Sequence, residues 1–272
     1  MIRFFILLCF IYGCTFPTLD QIILRPSIEM ENTPADYGFN YEEIILNINS
    51  DRQIKVWHVF SEVPKAIVVI FPGSDSNKGR YTEGLSIFIP NGYDVLLMDY
   101  EGFGNSVGQP SLTNCVDDCY AVINYVQKLN MPIFIFGVSL GTPLAAKVAS
   151  DFELKGIIFE GTLNLYKESE LWLIQNSVDF PFFWHSANFW MYPQIPEAYD
   201  IINYIQKVNE PKLFQHSTED EITPYDGAVE IYNIAPEPKV FWEMSGKHGQ
   251  MVRINTELYS RHILDWINSN LH

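Results

Sequence analysis

Basic residues, cysteines and long apolar runs are all scarce in this 272-residue chain, and each shortage removes a class of function. Only 17 Lys and Arg stand against 33 Asp and Glu, a formal charge of -16 that would repel a phosphate backbone and excludes a nucleic-acid binder. The acidity is read as solubility rather than as steering of cationic substrates. Of the 4 cysteines, Cys9 and Cys14 fall near the start, leaving Cys115 and Cys119. Without flanking histidines these are too few for a zinc site, and their spacing on a predicted helix points to two buried thiols rather than a disulfide. Internal repeats, low-complexity tracts and flexible linkers are also missing, so a second domain has no place to begin. At 47% hydrophobic residues the chain can bury one large α/β core.

The apolar run from Phe4 to Tyr12, preceded by Arg3, is too short for the roughly 20 residues of a transmembrane helix. It reads as the hydrophobic stretch of a signal peptide covering residues 1–13, followed by an N-terminal tether over 14–39. Ile11-Tyr12-Gly13-Cys14 resembles the bacterial lipobox, which implies lipid on Cys14 after cleavage, although Tyr12 stands where a small or branched residue is usual. Thr15 in place of aspartate resembles the signal for transfer to an outer membrane. The expected location is therefore the cell envelope, as an exported, membrane-anchored lipoprotein, with secretion or an uncleaved signal anchor as alternatives.

From Tyr41 onward strands and helices alternate. Tyr41 to Asn49 and Ile54 to Phe60, separated by Ser50-Asp51-Arg52, predict an antiparallel hairpin. The runs Ala66 to Phe71, Tyr93 to Met98, Ile133 to Phe136, Gly156 to Phe159, Leu213 to Gln215 and Val240 to Met244 follow. Continuous Val/Ile/Leu stretches such as Ile67 to Ile70 belong to strands buried on both faces, as in parallel sheets. Helices are predicted at Leu112 to Leu129, Leu144 to Ala149, Tyr225 to Tyr232 and Val252 to Asn268. Residues 40–272 thus predict one doubly wound, mostly parallel α/β domain with antiparallel N-terminal strands. Between about 162 and 209 the alternation lapses, and Trp172, Phe180, Phe182, Phe183, Trp184, Phe189, Trp190, Met191 and Tyr192 crowd together. An insertion there is expected to form a small helical lid over the site, its aromatics suited to acyl or aromatic groups.

Gly137-Val138-Ser139-Leu140-Gly141 sits between a predicted strand and an Ala-rich helix, the context of a nucleophile elbow. A serine so placed needs a base and an orienting acid, which in this architecture follow it in the order acid, then histidine. His58 precedes the serine, His185 lies in the insertion, His216 ends a strand, His262 is within the last helix and His272 ends the chain. His248, in Ser245-Gly246-Lys247-His248-Gly249, occupies the loop between the last strand and last helix and is the expected base. Asp220 is the expected acid, because its segment runs from a strand into Pro224, a first-turn proline of the next helix. Glu219 and Glu221 then become surface charges, and Asp226 a helix N-terminal charge. An oxyanion would be held by the Leu140 N–H and by the Ser74 N–H in the loop Phe71-Pro72-Gly73-Ser74. No metal or organic cofactor is implied.

Asp99-Tyr100-Glu101-Gly102-Phe103-Gly104-Asn105-Ser106, with Gly108 to Ser111, resembles the D-Y-R-G-x-G-x-S-x-G-x-P-[ST] loop of membrane-associated α/β-hydrolase-domain proteins. That group is related to lysophospholipase-like and serine-aminopeptidase-like hydrolases, and the elbow, the Asp220 segment and the Gly246-x-His248 loop are similar to it in order and spacing. The resemblance covers about residues 40 to 270 and implies the α/β-hydrolase fold and acyl transfer on a small-molecule substrate. Two positions depart: Pro72 replaces a histidine and Glu101 an arginine. Carboxylic ester or thioester hydrolysis is the leading expectation, with peptidase or amidase action and a non-catalytic, membrane-tethered binding protein as rivals.

Overall fold

Residues 18–167, 195–250 and 255–272 are described by the computed structural model. The leader, Cys14, the aromatic cluster of the insertion and residues 251–254 lie outside them. The sheet is built from β1 (Tyr41–Asn47), β2 (Gln53–Val59), β3 (Ala66–Phe71), β4 (Tyr93–Met98), β5 (Ile133–Val138), β6 (Gly156–Glu160), β7 (Lys212–Ser217) and β8 (Lys239–Met244). Its order is β1-β2-β4-β3-β5-β6-β7-β8. β2 is antiparallel to both β1 and β4, and every pairing from β4 onward is parallel, so β2 alone runs against the rest. The expected antiparallel start is therefore one reversed strand between two aligned ones.

The helices are α1 (Leu19–Ile23), α2 (Leu85–Phe88), α3 (Leu112–Gln127), α4 (Gly141–Ala149), α5 (Ile201–Ile205), α6 (Tyr225–Ile234) and α7 (Thr256–Asn270). Two hydrophobic layers follow from this winding. One face of the sheet is covered by α3, α4, α5 and α6 and the other by α2 and α7. Ile67, Val68 and Val69 on β3 are fully buried between the layers. Each such side chain contributes about 1.5–3 kcal/mol of transfer free energy, which explains why unbroken apolar runs become central parallel strands. Cys115 and Cys119 are buried free thiols on the inward face of α3. Among the described residues, no helix is long and apolar enough to cross a membrane.

Two stretches carry more structure than their composition announces. The region read as a tether is folded against the body from Thr18, whose side chain caps α1 by accepting the Gln21 N–H at 3.3 Å. Leu19, Ile23 and Leu24 join the core, and the Asp20 carboxylate accepts the Leu112 N–H at 2.8 Å, at the start of α3. The C-terminal part of the insertion range is likewise part of the body: Tyr199, Ile201, Ile205 and Val208 are fully buried, and the Tyr199 hydroxyl donates to the Leu112 carbonyl at 2.9 Å.

Candidate active site

β3 and β5 are neighbours, yet the chain leaves β3 toward β4 on one side and arrives at β5 on the other. Loops at such a switch point diverge and leave a crevice at the carboxyl edge of the sheet. The loop after β3 carries Ser74; the turn after β5 carries Ser139.

Ser139 has φ 51°, a left-handed conformation that a residue with a side chain adopts only where its surroundings impose it. Its N–H donates to the Glu160 carbonyl at 2.8 Å, and its own carbonyl accepts both the Thr142 N–H at 2.8 Å and the Thr142 hydroxyl at 2.7 Å. The turn is tight because α4 packs directly on β3: a Cβ on Gly141 would lie 2.2 Å from the Phe71 carbonyl oxygen. Leu140, at the head of α4, is buried.

The acid and the imidazole come from the far side of the sheet. After β7 the chain turns on Asp220, whose Oδ1 accepts the N–H groups of Ile222 at 2.9 Å and Thr223 at 2.8 Å. Its Oδ2 accepts the Thr223 hydroxyl at 2.8 Å and faces His248 Nδ1 at 2.7 Å. The Asp220 carboxyl is fully buried while the His248 side chain keeps 20% of its surface exposed. Burial alone would raise the Asp220 carboxyl, but the His248 hydrogen bond and charge, with the two amides, outweigh it and hold the group below the usual carboxylate range. Glu219 is exposed, and Glu221 forms a surface pair with Lys247 at 3.2 Å. Asp226 lies in the first turn of α6, whereas Pro224 is its N-cap, one position earlier than the sequence suggested.

His248 also reaches the elbow's surroundings. The ring lies over Gly161, where a Cβ would sit 2.9 Å from His248 Cε1. Gly161 directly follows Glu160, whose carbonyl anchors the Ser139 N–H. Serine turn and imidazole therefore share one two-residue support at the end of β6. With Nδ1–H donated to Asp220, Nε2 is the ring nitrogen left to accept a proton.

In the loop after β3, the Gly73 N–H donates to the Tyr81 hydroxyl at 2.8 Å, and the Ser74 carbonyl accepts the Arg25 N–H at 2.8 Å. Pro72, at the position where the resembling group has histidine, holds its carbonyl against the Tyr100 hydroxyl at 3.1 Å. The second departure, Glu101, is buried and ion-paired with Arg52; it also accepts the Gln109 N–H at 2.9 Å and the Asn114 amide at 3.0 Å. Beside it Asp118 accepts the Glu101 N–H at 2.8 Å, and burial pushes its carboxyl up to about 7. Glu101 thus braces its own loop instead of presenting charge to the crevice.

Three supporting residues escaped the sequence reading. His216 is fully buried: its Nδ1 accepts the Thr162 N–H at 3.1 Å and its Nε2–H donates to the Thr223 carbonyl at 2.9 Å. That pairing requires the neutral ring, and burial lowers its pKa accordingly. Thr223 locks Asp220, and the spacing D-x-x-T is the signal that could have found it, since an Asp side chain closing a turn on amides two and three residues ahead is a common local motif. Tyr81 gave no such signal, because its partner Gly73 lies across a loop.

Residues 62–180 match the family described as serine aminopeptidase, S33. The chain is 26% identical over 236 residues to the Escherichia coli O157:H7 protein YfhR, covering 80% of this chain and 78% of that one. It is 24% identical over 260 residues to the Mus musculus lysophosphatidylserine lipase ABHD12, covering 84% of this chain but 64% of the lipase. In three dimensions it superposes on an esterase from Pyrococcus furiosus with a TM-score of 0.75 at 15% identity, covering 92% of this chain and 99% of the esterase.

Proposed function

We propose that this chain, which has the α/β-hydrolase fold, is a serine hydrolase that cleaves carboxylic esters through an acyl-enzyme on Ser139. The observation that carries the reading is the Asp220–His248 pair, 2.7 Å long with its carboxylate buried, seated over the same β6 terminus that anchors the Ser139 turn. Ser139 Oγ attacks the acyl carbonyl while His248 Nε2 takes its proton. The Leu140 and Ser74 amides stabilise the oxyanion. His248 then protonates the departing alkoxide as the C–O bond breaks, and in the second half it deprotonates a water that releases the acid and restores Ser139. Asp220 holds the imidazole in the tautomer that accepts at Nε2 and stabilises the imidazolium.

An apolar acyl group is the substrate part we assign, on the aromatic composition of residues 172–192 and the similarity to a lysophosphatidylserine lipase. Thioesters share the chemistry. The match to a serine aminopeptidase family makes aminoacyl amides the rival substrates. A fluorophosphonate probe is expected to label the wild-type protein and not Ser139→Ala, and acyl esters are expected to turn over faster than aminoacyl amides. Labelling that survives in Ser139→Ala would refute the nucleophile, and faster amide cleavage would make the chain a peptidase.

Export and anchoring through Cys14 complete the proposal, supported by the leader composition. Mass spectrometry of the mature N-terminus is expected to show a diacylated Cys14; an unmodified or differently processed terminus would remove the lipid anchor.

A further inference from the structure

Consecutive residues at the end of β6 reach each group of the site in turn. The Glu160 carbonyl accepts the Ser139 N–H at 2.8 Å, and Gly161 lies under the His248 ring. Thr162 reaches the third group indirectly. Its N–H donates to His216 Nδ1 at 3.1 Å, and the other ring nitrogen of His216 donates to the Thr223 carbonyl at 2.9 Å. Thr223 in turn gives its N–H and its hydroxyl to the Asp220 carboxylate, each at 2.8 Å. Among the described residues, no other hydrogen bond joins residues 160–162 to the turn 218–224 that carries Asp220.

An apolar ring would fill the same space without desolvating polar atoms. His216, Thr162 and Thr223 are all buried, so the imidazole carries a desolvation cost that its two hydrogen bonds offset. Those bonds also decide where charge can form. Asp220 Oδ2 lies 2.7 Å from His248 Nδ1 and 3.9 Å from His216 Nε2, so two imidazoles flank one oxygen. His216 has committed its Nε2 proton to Thr223 and its Nδ1 lone pair to Thr162, and burial holds the ring below the usual histidine range. It stays neutral and leaves Asp220 to His248.

The groups facing these two rings come from every neighbouring element. Asp220 projects from the turn after β7, and Glu160 from β6, its carboxylate bonded by Tyr259 of α7 and Gln215 of β7. Tyr225 of α6 meets His216 edge-on with ring centroids 6.1 Å apart, and Lys247 on the histidine loop is paired with Glu221 at the surface.

Resting on the hydrolase reading above, we propose that His216 is a positioning residue for the reaction: its neutral ring bridges Thr162 to Thr223 and so fixes Asp220 in register with His248 and Ser139. Misplacing a group by about 1 Å in such a constellation can cost roughly 10²-fold in rate, so the bridge acts on turnover rather than on substrate binding.

His216→Gln and His216→Asn each break the bridge at one end. Glutamine places an amide near the Nε2 position and can keep the Thr223 bond, whereas asparagine places an oxygen near Nδ1 and can keep the Thr162 bond. Both variants are expected to lower kcat for an acyl ester, and the rate of fluorophosphonate labelling, by about 10–100-fold with KM within twofold. The final extent of labelling, which counts correctly folded sites, is expected to match wild type. The pH dependence of kcat/KM is the readout that a purely structural ring would not move. With Asp220 out of register the His248 imidazolium is less stabilised, so the apparent pKa of the acid limb is expected to fall by about 0.5–1 pH unit. Wild-type kcat in either variant would overturn the inference. So would an unchanged acid limb in both, or a loss of activity fully accounted for by a lower extent of labelling. A wild-type protein that does not label at all would instead overturn the hydrolase reading, and this inference with it.

Discussion

Asp220→Asn is expected to lower kcat by about 10⁴-fold while leaving KM and the melting temperature near wild type. The argument runs through the tautomer. Asparagine can keep its carbonyl oxygen where Oδ1 accepts the Ile222 and Thr223 amides, at 2.9 and 2.8 Å in the wild type. Its NH₂ then takes the place of Oδ2, 2.7 Å from His248 Nδ1, and presents a donor where the ring had donated. The imidazole answers by accepting at Nδ1 and carrying its proton on Nε2, so it cannot remove the proton of Ser139. The Thr223 hydroxyl, which donates to Oδ2 at 2.8 Å, can rotate to accept from the new NH₂, so the turn survives and the loss is chemical rather than structural. Steady-state kinetics beside a thermal melt check this. A kcat within tenfold of wild type would mean that another carboxylate orients His248. Glu160 would be the first to examine, because it is buried at the end of β6 and its charge interacts with His248.

Gly141→Ala is expected to destabilise the fold by about 3 kcal/mol or more and to remove activity with it. The added methyl would lie 2.2 Å from the Phe71 carbonyl oxygen and 2.8 Å from its carbon. Both are backbone atoms of a central strand that is hydrogen-bonded on two sides, to β4 and β5, so the strand cannot retreat. Relief has to come from α4 tilting away, which moves the Ser139 turn at its head. For a domain of this size such a loss lowers the melting temperature by roughly 6–12 °C. A melting temperature equal to wild type would show that α4 does not approach β3 so closely.

How much of this was legible beforehand follows from where the information lies. β3 and β4 match their sequence boundaries because every residue in them is buried, and burial on both faces writes itself as unbroken apolar sequence. The sequence predicts β7 only over Leu213 to Gln215 because Lys212, His216 and Ser217 look like loop residues, yet all are buried in the strand. Lys212 manages this by directing its ammonium to the Val208 and Glu210 carbonyls at 2.9 and 2.7 Å, partners no periodicity can disclose. The site divides in the same way. Ser139, Asp220 and His248 are proposed from chain order relative to a strand, a local property. Tyr81 and His216 owe their positions to residues on other elements, and the short helices between Lys78 and Asn91 that carry Tyr81 were hidden by glycine, proline and charge.

The docked N-terminal segment changes the meaning of a lipid on Cys14. From Cys14 to Thr18 the chain spans four residues, at most about 14 Å when fully extended. From Thr18 onward it is committed to the body, and at Arg25 it bonds the loop that carries Ser74. A lipidated enzyme would thus be leashed rather than tethered, its globule held flush with the bilayer by the same strand of chain that braces its crevice. Any ester carried in the leaflet would then arrive by lateral diffusion, and its rate of capture would depend on its mole fraction rather than on bulk concentration.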